Sequence, residues 1–186
     1  MFLRATPHFL GDSAWDDLCE ASLLENLVDA LADLDPLKFI GNRSRGLKSE
    51  LKAYGASGPR SPHPFKWTSS VLITDSTGLD FDPNFRATGL MTCQDCEAPR
   101  RIYVHLAVNN REAIGTNLLR ANLAAESSFM PGALVLITLG RELLNLGGWD
   151  RSYGDTNEFI RQYELGYRSA LKRAPAVIDL NSPLAR

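Results

Sequence analysis

The chain has 186 residues, a formal net charge of −2, 44% hydrophobic residues and 23% charged residues. That is the balance of one globular domain, 1–186, large enough to bury a core. No window approaches the ~20 apolar residues of a bilayer-spanning helix, and three cysteines, an odd number, do not suggest a disulfide framework. A near-neutral sum says little about nucleic acid, which can be met by basic groups gathered on one face.

The opening residues, Met1-Phe2-Leu3-Arg4-Ala5-Thr6-Pro7, lack the apolar core of a signal peptide, so a cytoplasmic protein is expected. Ser13-Ala14-Trp15-Asp16 has the spacing of a capping box and opens a predicted helix. Ala21, Leu24, Val28 and Leu31 recur at helical spacing, and Leu27 and Leu34 widen the stripe until Asp35-Pro36 ends it. The outer face of this helix reads as acidic. A second helix is predicted over 44–54, stopped by Gly55. Arg45, Lys48 and Lys52 form a basic stripe along it. Residues 55–64, rich in Gly, Pro and Ser, read as a loop.

Strand-like segments follow at 69–74, 78–82, 86–92 and 101–108. The first three read as an antiparallel meander feeding a βαβ unit, which comprises the strand at 101–108, a helix over 114–125 and a buried strand at 133–139. Asp155-Thr156-Asn157-Glu158 is a further capping box, opening a helix to about 171 with Phe159, Ile160, Tyr163 and Tyr167 inward. A last strand is predicted over 176–180. The fold class is therefore α/β (α+β), a single domain with a central mixed sheet flanked by helices.

Alternation along 101–108 puts Ile102, Val104, Leu106 and Val108 on one face and Arg101, Tyr103, His105 and Ala107 on the other. Phosphodiester cleavage assisted by Mg²⁺ or Mn²⁺ needs carboxylates on one face of adjacent strands. Asp80 and Asp82, in Leu79-Asp80-Phe81-Asp82, are the candidates. His105 could join them, although imidazole suits Zn²⁺, Mn²⁺ or Fe²⁺ better than Mg²⁺. The plain readings are solvated turn carboxylates and a structural histidine. Cys93-Gln94-Asp95-Cys96 has the spacing of half a zinc site. With no second pair, it reads as two reduced thiols in a loop, with a structural Zn²⁺ or a redox pair as lesser alternatives. Glu97, directly after this turn, is the nearest acid that could join Asp80 and His105 as a catalytic group. Asn109-Asn110-Arg111-Glu112 joins strand to helix and could offer amides and backbone N–H groups to phosphate. Its plain reading is a turn with Asn as helix cap. No phosphate loop, nucleophile elbow or dinucleotide fingerprint is present.

Over roughly 37–180, the order of these segments resembles the restriction endonucleases typified by BglII and BamHI, with their PD-(D/E)XK nuclease fold. The likeness rests on four stretches. Asn42-Arg43-Ser44-Arg45-Gly46-Leu47-Lys48 resembles the family's basic helix, followed by the aromatic loop Pro64-Phe65-Lys66-Trp67. Leu79-Asp80-Phe81 resembles its hydrophobic-Asp-aromatic strand, and Val104-His105-Leu106-Ala107-Val108-Asn109-Asn110 its acid-bearing strand and small-Asn turn. The resemblance implies double-stranded DNA as partner, a homodimer, and Asp80 as metal ligand. It places His105 and Ala107 where that family carries the strand's acidic or polar pair. Two functions are expected from it: a divergent metal-dependent DNA endonuclease, or a non-catalytic DNA-binding or protein-interaction module. A zinc-stabilised interaction domain is a third class.

Overall fold

A computed structural model of the chain describes residues 3–11, 15, 18–35, 46, 49–50, 53, 65–73, 86–93, 100–108, 110–126, 132–147, 149 and 152–182. Six strands form one mixed sheet: β1 (Arg4–Phe9), β2 (Phe65–Leu72), β3 (Arg86–Cys93), β4 (Arg101–Leu106), β5 (Ala133–Leu139) and β6 (Ala176–Asn181), in the order β1-β6-β5-β4-β3-β2. The central strands β4, β5 and β6 are parallel. β2, β3 and β4 make an antiparallel meander on one side, and β1 runs antiparallel to β6 on the other. Four helices with fully described spans flank the sheet: α1 (Leu18–Ala32), α2 (Ile114–Glu126), α3 (Arg141–Leu146) and α4 (Thr156–Gln162). The predicted βαβ unit is present, with α2 the crossover between β4 and β5, whereas the meander is made by β2, β3 and β4 rather than by segments 69–74, 78–82 and 86–92.

The core is two apolar layers divided by the sheet. On one face, Leu23, Leu24, Leu27 and Leu31 of α1 and Leu143 and Leu144 of α3 pack on Ile102, Val104, Val135, Ile137 and Ile178. On the other, Ile114, Leu118, Ala121 and Ala124 of α2 and Phe159 of α4 pack on Tyr103, Leu134, Leu136 and Val177. A strand covered on both faces reads as an apolar run, and all seven residues of β5 are buried. The alternation expected in β4 holds, with Ile102, Val104, Leu106 and Val108 in one layer and Tyr103 and Ala107 in the other.

Several expectations are corrected. In α1 the buried stripe includes Leu23, while Ala21 and Val28 are half-buried. Its acidic face holds for exposed Glu25 and Asp29 but not for Glu20, which is buried against the guanidinium of Arg173. The residues assigned to an aromatic loop, Phe65-Lys66-Trp67, belong to β2, and β2 pairs directly with β3. The predicted 78–82 strand therefore has no place between them; it lies outside the described residues. The helix predicted to run to 171 ends at Gln162 and continues as a π-turn, Tyr163–Tyr167. There Tyr167 closes on α2 at Gly115, where a side chain would collide with its hydroxyl. Of the helix predicted over 44–54, the described residues Gly46, Ser49, Glu50 and Ala53 are helical.

Two elements are new. β1 holds Pro7, which cannot donate to a ladder and is tolerated because β1 is an edge strand. α3 is a six-residue helix, too short for a periodic signal.

Candidate functional site

In an open parallel sheet, ligands bind beyond the carboxyl ends of the strands. Here that edge is formed by the ends of β4, β5 and β6, and its two halves differ in chemistry.

At the end of β4, His105 is half-buried and Ala107 is fully buried. Ala107 sits in the apolar layer with Ile114, Leu118, Leu136 and Phe159, and its N–H donates to the Ile137 carbonyl at 2.8 Å. The strand pairing with β4 on its other side is β3, Arg86-Ala87-Thr88-Gly89-Leu90-Met91-Thr92-Cys93, which contains no carboxylate. Its ladder to β4 is irregular beside His105. Thr88 Oγ1 accepts the Leu106 N–H at 3.0 Å, Ser70 of β2 stands at φ 55°, and an Arg86 Nη1–H donates to the Ser70 carbonyl at 2.9 Å. Asp80, Asp82 and Glu97 lie outside the described residues, so a site uniting them with His105 is neither assembled nor broken here.

The turn after β4 differs from its expected form. Asn110 precedes a 3₁₀ turn, Arg111–Ala113, and makes no side-chain cap hydrogen bond. Its backbone bridges to Tyr153, and the Arg111 N–H donates to the Ser152 carbonyl at 2.9 Å. That N–H is therefore spent on the protein rather than offered to phosphate. Asn110 and Arg111 are both exposed, while Asn109 lies outside the described residues, as do Arg45, Lys48 and Lys52. Cys93 is disulfide-bonded rather than a reduced thiol; Cys96 lies outside the described residues. A disulfide sulfur is no thiolate ligand for zinc.

Beyond β5 and β6 the edge is polar and closely connected. Arg111 Nε lies 2.7 Å from Glu158 Oε2, and Arg141 Nη2 lies 4.0 Å from the same oxygen. Arg141 Nε donates to Asp155 Oδ2 at 2.8 Å. Asp155 also caps α4, its Oδ1 accepting the Glu158 N–H at 3.1 Å. The capping box expected at 155–158 is thus half formed. Asp155 plays its part, but the Glu158 carboxylate turns to Arg111 instead of closing the box.

Beneath these ion pairs, Thr156 Oγ1 donates to Asp179 Oδ1 at 2.6 Å and lies 2.8 Å from Thr138 Oγ1. Each hydroxyl has one proton. With that of Thr156 on the carboxylate, the Thr138 proton is shared between Thr156 and the Ile178 carbonyl at 3.2 Å. Both threonines are buried, so this chain stitches β5, β6 and the start of α4 together away from water. At the rim, Gly140 lets Asn181 lie directly against the backbone, where a side chain would collide. Asn181 Nδ2 donates to Glu142 Oε2 at 2.6 Å. This hydrogen bond, with the helix N–H of Glu142 itself, holds the Glu142 carboxyl below its ordinary value against slight burial and the charge of Asp155.

Sequence reasoning missed this cluster as a unit. The signals were a threonine inside the apolar run of β5 and an aspartate inside that of β6. Among the described residues no group of acids, histidines or cysteines is arranged to hold a metal ion, and no helix is long and apolar enough to cross a membrane. The chain matches no known family model and no curated protein sequence.

Proposed function

We propose that this chain is a DNA-associated protein on a restriction endonuclease-like fold that binds double-stranded DNA without cutting it through β4. The observation that carries this reading is β4 itself. It is the last strand of an antiparallel meander and the first of a parallel crossover, the layout that the resemblance implies, and its acid positions hold His105 and a fully buried Ala107. Alanine coordinates nothing, and β3 offers no carboxylate to replace it. A fold alone does not establish chemistry, so binding rather than hydrolysis is the function these residues support best.

A homodimer goes with this reading. At the two edges of the described sheet, β1 carries Pro7 and β2 has Ser70 at φ 55°, so neither is a regular template for strand pairing between copies.

Gel shifts of double-stranded DNA across a salt series, run beside plasmid nicking with Mg²⁺ and Mn²⁺, test the proposal. Binding is expected to weaken linearly in log–log form, with a slope of about −0.9 per phosphate neutralised, and no nicking is expected with either metal. Nicking that Asp80→Ala abolishes would overturn the non-cutting half. Absence of salt-dependent binding would overturn the whole.

A further inference from the structure

Arg111 is the one described cation of the strand-to-helix turn expected to meet phosphate, and it is already engaged by an anion of its own chain. Glu158 Oε2 lies between two guanidiniums, 2.7 Å from Arg111 Nε and 4.0 Å from Arg141 Nη2. A single anionic oxygen facing two arginines is the arrangement that a phosphodiester oxygen takes at an arginine-lined site. We infer that Arg111 and Arg141 form a phosphodiester site in which the Glu158 carboxylate is an intramolecular stand-in that must be displaced. This inference rests on the proposed association with DNA.

Three observations support a displaceable occupant. Glu158 is not required as a cap, because Asp155 already accepts its N–H. The cluster is open to solvent, with side-chain exposures of 46% for Arg111, 33% for Arg141 and 24% for Glu158. Ion pairs this exposed are weak, so a polyanion can outcompete one. Arg141 stays anchored to Asp155 when Glu158 leaves, so the site keeps its shape. Glu112, exposed beside Arg111, and Glu142, at the rim, remain as negative neighbours. Their charge opposes any incoming anion, so the gain on removing Glu158 is modest.

The test compares wild type, Glu158→Gln, and Glu158→Gln combined with Arg111→Met, each confirmed folded by circular dichroism. Binding to a double-stranded DNA of random sequence is read by fluorescence anisotropy at several salt concentrations. Glu158→Gln should tighten binding about three- to tenfold at each salt concentration, because no carboxylate has to be displaced before the phosphodiester enters. Adding Arg111→Met should remove the gain. Binding by wild type that Glu158→Gln leaves unchanged or weakens overturns the inference while the DNA reading survives. If neither protein binds DNA, the DNA reading fails, and inorganic pyrophosphate decides the site alone. A shift of the Arg111 Nε resonance in Glu158→Gln but not in wild type supports it; no shift in either overturns it.

Discussion

The ends of β4 and of β5 and β6 lie on the same edge of one sheet, yet they are built oppositely. At the first, the place where the resemblance expects an acid is filled by Ala107, sealed among Ile114, Leu118, Leu136 and Phe159. At the second, two arginines, three carboxylates and two buried hydroxyls are joined by hydrogen bonds and ion pairs. The lesson is that neighbouring strand ends on one sheet edge can be apolar and polar by turns. Here the polar groups beyond β5 and β6 reach back to Arg111 of the turn after β4 and tie these elements together.

Three substitutions sharpen or break that contrast. The largest effect is expected at Ala107. Ala107→Asp puts a carboxylate into a dry apolar layer with no cation beside it, a change of about 3–5 kcal/mol. For a chain of this size the melting temperature should fall by roughly 6–20 °C. An unchanged melting temperature would mean that this end of β4 is open to water, which would revive the cutting reading. A smaller loss is expected from Thr156→Val. It removes the donor to Asp179 and one partner of Thr138, about 1–2 kcal/mol, seen as a fall of about 2–8 °C in the same thermal scan. No loss would show that the hydroxyl chain is incidental.

The smallest effect concerns Glu142 and is visible only as a pH dependence. Its folded pKa lies below the ordinary 4.5, chiefly through the hydrogen bond from Asn181. The carboxylate therefore contributes stability that is fully present above pH 4.5 and is lost as pH falls through the lower folded value. Glu142→Gln keeps an acceptor for Asn181 but cannot titrate. Wild type should be the more stable of the two at pH 7, and the difference should close as pH falls through the lowered folded value. A difference independent of pH would assign the effect to packing.

Much of the fold was legible because it is written in local periodicity. The alternation of Ile102, Val104 and Leu106 against Tyr103 and Ala107, the apolar run at Ala133–Leu139, and the i, i+4, i+7 spacing of Ile114, Leu118 and Ala121 each report one element's burial. β1 was not legible, because Pro7 argues against a strand unless the strand is known to sit at an edge. Nor was α3, since six residues carry too little period. The site was less legible still. Asp155 and Glu158 showed the spacing of a capping box, but whether the Glu158 carboxylate closes it or reaches Arg111 depends on where the turn after β4 lies.

The sequence by itself determined the class of fold and the faces of its central strands, with Ala107 on the face of Tyr103. These follow from patterns only a few residues long. Only the tertiary structure decided which distant polar groups meet: Glu20 with Arg173, Arg111 and Arg141 with Glu158, and Thr138 with Thr156 and Asp179. The physical reason is range. A hydrophobic period is felt within one turn or one pleat, whereas a hydrogen bond between residues far apart in the chain exists only once the sheet has set their separation.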